Sequence, residues 1–235
     1  MKRLVSFILM AASAAMLASC LPDPEELLYT ESGMFTVAGS NQLITDSGNI
    51  YDIVQNNSGA DIPDTLKRVM AVCDVLTKTA GTSNRYNVRL MEFAGAFISD
   101  PLPMSSLDEE KVGHDGLNIK QAWVTGGYLN AYAFIAMFNP SKVNHELNLV
   151  YDDVRSNADT LYFEARHNAH GECPENEDTV LKDFVFAGAY LSFPLDGILE
   201  EGKKPIVHLE WDWYVGDEYS FTREKKTHFG NLEVF

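Results

Sequence analysis

The chain is poor in cysteine, poor in positive charge, and has no long apolar run beyond its first twenty residues. Its three cysteines, Cys20, Cys73 and Cys173, are too few for a disulfide-stapled scaffold. Lysine and arginine number 18 against 34 acids, a net charge of −16. Nucleic-acid affinity rests on cations that neutralise phosphates, so no nucleic-acid partner is expected, and anionic lipid is disfavoured for the same reason. The serine-nucleophile elbow, the His-Glu-x-x-His zinc pattern and the phosphate-cradling glycine loop are all missing. Neither an enzyme nor a cofactor is expected. What is present is enough apolar material for a real core, 46% of residues.

The first twenty residues decide the compartment. Lys2 and Arg3 give a basic start, Leu4 to Leu17 is almost wholly apolar, and Leu17-Ala18-Ser19-Cys20 closes it. The run has the length of a secretory h-region and falls short of the roughly 20 residues that span a bilayer. The four-residue box is a bacterial lipoprotein signal. It predicts cleavage before Cys20 and acylation of that cysteine, with several acyl chains making a firm anchor. Residues 1–19 are then signal peptide, and 20–33 are the lipidated cysteine and a tether stiffened by Pro22 and Pro24. The expected location is the outer membrane, on its periplasmic side or at the cell surface.

Beyond the tether the pattern is β. Gln42–Thr45 and Ile50–Val54 flank the turn formers Asp46-Ser47-Gly48-Asn49, a hairpin signal. Lys67 to Leu76 fits helical and strand spacing alike, and its strand neighbours favour a strand. The Pro-, Ser- and acid-rich stretch from Pro101 to Gly116 reads as a domain boundary. Strands are expected at Tyr132–Phe138, Glu146–Tyr151, Thr160–Arg166, Phe184–Phe193 and Pro205–Val215. In the last, Leu209, Trp211, Trp213 and Val215 form an apolar face and Glu210, Asp212 and Tyr214 a wet one. Residues 222–235 follow no clear pattern.

Trp123 with Gly127-Tyr128-Leu129-Asn130, the block Leu161-Tyr162-Phe163-Glu164-Ala165-Arg166-His167-Asn168-Ala169-His170-Gly171, and the segment Val75-Leu76-Thr77-Lys78 together resemble the NigD-like lipoproteins of Gram-negative bacteria. The resemblance is strongest over Ile119 to Gly171. It implies an all-β chain: an N-terminal OB-like β-barrel over 34–103, a linker over 104–118, and a C-terminal antiparallel β-sandwich over 119–235. It also implies a bacteriocin-associated immunity or protective role as one alternative. His170 departs from the block, where an aromatic such as tyrosine is expected.

Four constellations carry chemistry. His167-x-x-His170-x-x-Cys173 offers imidazole and thiolate at spacings a turn can fold onto zinc or copper; with no clear fourth ligand, a strand end running into a polar turn is the favoured reading. Trp211 and Trp213 share a sheet face and suit sugar stacking or, more commonly, core packing; Trp123 reads the same way. Asp152, Asp153 and Asp159, or Asp46, Asn49 and Asp52, supply oxygen ligands without a full calcium-loop pattern. Cys73 and Cys173 could pair in an oxidising compartment. The expected function is a lipid-anchored, non-enzymatic binding or accessory module of the cell envelope, attached to the membrane through Cys20 and binding an envelope protein or glycan. A metal-binding protein using His167, His170 and Cys173 is the other alternative.

Overall fold

The computed structural model describes residues 27–138, 141–175, 183–200, 202–216 and 221–235. The expected lipoprotein signal and Cys20 lie outside them. β1 (Tyr29–Gly39), β2 (Gln42–Thr45), β3 (Ile50–Asn56), β4 (Arg68–Lys78) and β5 (Arg85–Ile98) come first. β1 pairs with β2, β2 with β3, β3 with β5, β5 with β4, and β4 with β1. That is a closed five-strand circuit with one parallel junction, β3 to β5. It is the strand order of an OB-like barrel. Its interior holds Phe35, Leu43, Tyr51, Val69, Val88 and Leu90, all essentially solvent-free. The strand β1 starts at Tyr29, so residues 29–33 belong to the barrel and not to the tether.

β5 does not end with the barrel. Its last residues, Ala96 to Ile98, pair in parallel with β11 (Phe184–Pro194). The barrel sheet therefore runs on through β11 into β8 (Tyr128–Phe138) and β7 (Leu117–Thr125). Facing this extension is a five-stranded sheet in the order β13 (Phe221–Leu232), β12 (Ile206–Gly216), β10 (Thr160–Asn168), β9 (Glu146–Tyr151), β6 (Leu102–Pro103). The expected linker carries a 3-10 turn, Met104–Ser106, and one short helix, α1 (Glu109–Val112).

Period two builds the sandwich. On β8, Leu129, Ala131, Ala133 and Ile135 point inward and are buried. They meet Leu147 and Leu149 of β9, Leu161, Phe163 and Ala165 of β10, and Val207 and Leu209 of β12. A fully buried Leu or Phe here contributes about 2 to 3 kcal/mol. β10 and β12 lie parallel, because the chain crosses to the facing sheet as β11 between them. The unplaced tail is β13, antiparallel to β12. The alternation expected on β12 fails at its end. The register of β12 and β13 shifts between Tyr214 and Gly216. Tyr214 is 2% exposed and Val215 is 39% exposed, the reverse of the expected faces.

The two modules are locked by one guanidinium. Arg68 opens β4 and is 1% exposed. It forms an ion pair with Asp46 of the β2–β3 turn at 2.9 Å and donates to Thr36 Oγ1 at 3.0 Å, both within the barrel. It also donates to Asn130 Oδ1 of β8 at 3.3 Å and lies 3.9 Å above the Tyr128 ring. Ser192 of β11 and Thr125 of β7 complete the network, through Asn130 and Asp46 respectively. The β7–β8 turn reaches this point because Gly126 (φ 58°) and Gly127 (φ 80°) both take positive φ, as a two-residue type I′ turn needs. A Cβ on Gly126 would stand 2.7 Å from Asp46 Cγ.

Removing this guanidinium strands a carboxylate that is only 15% exposed. Arg68→Met is expected to cost about 3 to 5 kcal/mol in urea unfolding. Arg68→Lys should recover only part, since an ammonium cannot fork to Thr36, Asp46 and Asn130 together. A midpoint unchanged in both variants would refute this role.

Candidate functional site

The polar chemistry of the chain gathers where β10 ends. Arg166, 7% exposed, donates to Glu164 and to Glu109 of α1 and so clamps the linker to the sandwich. Asn168 holds the C-terminal carbonyls of the same helix, donating to Lys111 O at 2.9 Å and Glu110 O at 3.2 Å. His167 is 1% exposed. Its Nδ1 donates to Gly116 O at 3.0 Å, since a carbonyl can only accept. Its Nε2 then accepts from His145 Nδ1 at 2.8 Å, with the two rings stacked at 5.0 Å. His145 turns its other nitrogen to Glu172 at 3.4 Å. Burial alone would raise Glu172, but hydrogen bonds from Ser141, Lys142 N and His145 outweigh it and hold the carboxyl below its usual range. Burial pushes His167 down to about 4, against the opposing pull of the Gly116 carbonyl. His167 is therefore a neutral link in a buried His–His–Glu chain.

The three expected metal ligands do not converge. His167 faces Gly116 and His145. His170 sits in the turn after β10 with φ 47°, a left-handed backbone stabilised by its N–H donating to Asn168 Oδ1. Its ring reaches Glu146 at 3.3 Å. Cys173 lies instead beside Asp115 and Glu175, one ligand atom of each within 4.8 Å of the others. This trio is already held by protein donors. Ala169 N donates to Asp115 at 2.7 Å, Tyr214 Oη donates to Glu175 at 2.5 Å, and Lys225 Nζ stands 2.8 Å from the same carboxylate. Burial keeps the Tyr214 phenol protonated far above its ordinary range. Cys73 and Cys173 are not joined to each other. Cys73 sits in the barrel core, where burial pushes its thiol up to about 12.

Trp211 and Trp213 pack inward. Trp213 is 7% exposed against Ala136 and Phe186, and Trp211 packs on the sandwich core and stacks on His228 at 5.8 Å. The acids considered for calcium have other partners: Asp46 pairs with Arg68, Asp52 with Arg85 at 2.5 Å, Asp152 with Arg155 at 3.3 Å, and Asp153 accepts from Ser105. On the outer face of the second sheet lies an open cleft of about 280 Å³, rimmed by Glu164, Arg166, Glu210 and Asp212. Beside it Tyr162, His208 and Phe229 touch in a row across β10, β12 and β13. His145, 22 residues before its partner His167, gave no spacing signal; only the fold brings them together.

An OB-like barrel fused to a two-sheet sandwich defines a class of two-module β protein. Residues 100–225, more than half the chain, match the NigD-like C-terminal beta sandwich domain, and the chain belongs to that family. Solved structures share the fold. A protein of unknown function, DUF1344, from Bacteroides vulgatus is 21% identical (TM-score 0.60, covering 86% of this chain and 90% of that one). A NigD-like immunity protein from Bacteroides caccae is 17% identical (TM-score 0.56; 88% and 94%). A candidate lipoprotein from Bacteroides fragilis is 11% identical (TM-score 0.58; 88% and 98%). No curated protein matches the chain.

The buried neutral His167 makes stability fall in mild acid. Its folded value of about 4 lies below the unfolded value of about 6.5, so as pH drops the unfolded chain takes up the proton first. The contribution is complete above pH 7. It should shrink by about 2 kcal/mol between pH 7.5 and pH 5, read from urea midpoints. His167→Gln should flatten that slope; equal slopes in the two proteins would contradict the assignment.

Proposed function

We propose that the chain is a lipid-anchored binding or accessory protein of the cell envelope, without catalytic chemistry of its own and held at the outer membrane through Cys20. The observation that carries the reading is how closely the folded body follows the lipobox. β1 begins at Tyr29, and Leu28 N already bonds Val75 O of β4. The eight residue steps from Cys20 to Leu28 reach at most about 28 Å. A lipid on Cys20 would therefore hold the barrel close to the membrane, with the sandwich attached through Arg68 and β5. Among the described residues no helix is long and apolar enough to cross a membrane, so the acyl chains would be the anchor. The candidate lipoprotein from Bacteroides fragilis shares this fold.

The absence of catalysis is supported by how the titratable groups are spent. His145, His167 and Glu172 bond one another or backbone, and Arg166 is taken up by Glu164 and Glu109. An immunity role is a second reading, favoured by the description of the Bacteroides caccae neighbour. Killing assays with bacteriocin-producing neighbours separate it: a deletion strain that survives like its parent is not protected by this chain.

Anchoring is tested by palmitate labelling and intact mass of the native protein. The chain should carry acyl label and partition with outer membrane, and Cys20→Ser should lose the label and leave the membrane fraction. An unmodified thiol at Cys20 in the native chain would sink the proposal. Crosslinking of the lipidated protein in native envelope, followed by mass spectrometry, should then recover a partner protein or glycan.

A further inference from the structure

We infer that the cleft between the barrel and the sandwich is a binding site for a neutral saccharide of one to three sugar rings. The inference deepens the envelope-binding reading and rests on it only for its biological setting. The cleft holds about 390 Å³, inside the range of about 300 to 1,000 Å³ typical of small-molecule sites, which favour domain junctions. Trp123 of β7 and the final residue Phe235 supply its aromatic surface. Glu31 of β1, Ser47 of the β2–β3 turn and Thr125 beside the β7–β8 turn line it with oxygen.

Three observations point to a ligand. First, Phe235 is 76% exposed, although the strand end that carries it is tied down. Phe235 N bonds Val124 O at 3.3 Å and Val234 bridges Val124. A large ring fixed in water beside a tryptophan is a surface awaiting an apolar face. Second, Gly33 stands in the interior of β1 and lines the same cleft. Its φ is not positive, its register with Ala71 of β4 runs without a shift, and a Cβ there would meet nothing within 4 Å. Neither a turn, nor a bulge, nor a close protein neighbour accounts for glycine. An interior strand glycine of this kind marks a tight bend at a barrel corner or the approach of a ligand, and in either case it leaves open space facing this cleft. Third, no lining residue is basic. Arg68, the nearest guanidinium, is buried and committed to Asp46.

This chemistry selects the ligand. Phosphate, sulfate and acidic sugars would face Glu31 with no cation in the lining to offset the repulsion, because Arg68 is spent on Asp46. A neutral sugar presents an apolar C–H face suited to an aromatic ring and hydroxyls that donate to carboxylates and exchange bonds with Ser and Thr. The sequence reading looked for such a platform at Trp211 and Trp213. Trp213 is inside the sandwich, and the half-buried Trp211 is packed on its core and stacked on His228, whereas the half-buried Trp123 faces the cleft with Phe235.

The test is calorimetric titration of the full lipidated chain, in a detergent without a sugar headgroup, with maltotriose, cellotriose and triacetylchitotriose, and with trialanine as the peptide arm. At least one saccharide should give saturable heat. Trp123→Ala should weaken it about tenfold or more, and Gly33→Val, which fills the open space, should abolish it. Unchanged circular dichroism and melting temperature would show both variants folded. No saturable heat with any of the three sugars, heat undiminished in both variants, or saturation by trialanine alone would overturn the inference. Retained membrane attachment in Cys20→Ser with saccharide binding intact would defeat the anchoring proposal and leave this one standing.

Discussion

Arg68 is a charge buried at the meeting of two modules, and burial of a charge is tolerable only when it is paired and hydrogen-bonded. Asp46 supplies the counter-charge from one side, and Thr36, Asn130 and the Tyr128 ring meet the terminal nitrogens and the guanidinium face, while Nε finds no hydrogen-bond partner among the described residues. Because the partners come from β1, the β2–β3 turn and β8, satisfying the guanidinium fixes the barrel against the sandwich. The position of Trp123, Phe235 and Gly33 around one cleft follows from that fixed relation. So does the tight turn at Gly126-Gly127, which must bring sandwich backbone to within a side chain's reach of Asp46.

A second rigid point lies at the far end of the sandwich. There the 104–118 segment is stitched down by Arg166, Asn168 and the His–His–Glu chain. These residues include the Arg-His-Asn block that made the family legible. Their chemistry is spent on holding α1 and the turn after β10, which explains why a block rich in reactive side chains can serve architecture. Buried polar networks of this kind rigidify when every member is satisfied.

Much of the fold was legible in the sequence. Period two along most of β12 marked its inward face, and the Asp46-to-Asn49 turn lies between β2 and β3 as expected. The ambiguous Lys67-to-Leu76 stretch is β4. What could not be read was decided by tertiary structure. Tyr214 turned inward because a register shift reorients it and because Gly116 and Glu175 satisfy its hydroxyl in the interior. Arg68 carries no signal in the sequence, since its partners lie 22, 32 and 62 residues away. His170 and Cys173 looked like companions of His167, yet a left-handed turn at His170 sends the rings and the thiol to different neighbours.

β5 gives the domain boundary an unusual meaning. The segment recognised by family begins at residue 100, just after β5 ends at Ile98. Yet Ala96, Phe97 and Ile98 are the residues that occupy the flank of β11. A fragment cut at the family boundary would present that flank as a raw row of unpaired amides and carbonyls, the template on which strands of separate molecules add to one another. The unit that recurs in sequence is thus smaller than the unit in which the flank of β11 is covered. Evolution can exchange the sandwich only together with the last turn of the barrel's longest strand.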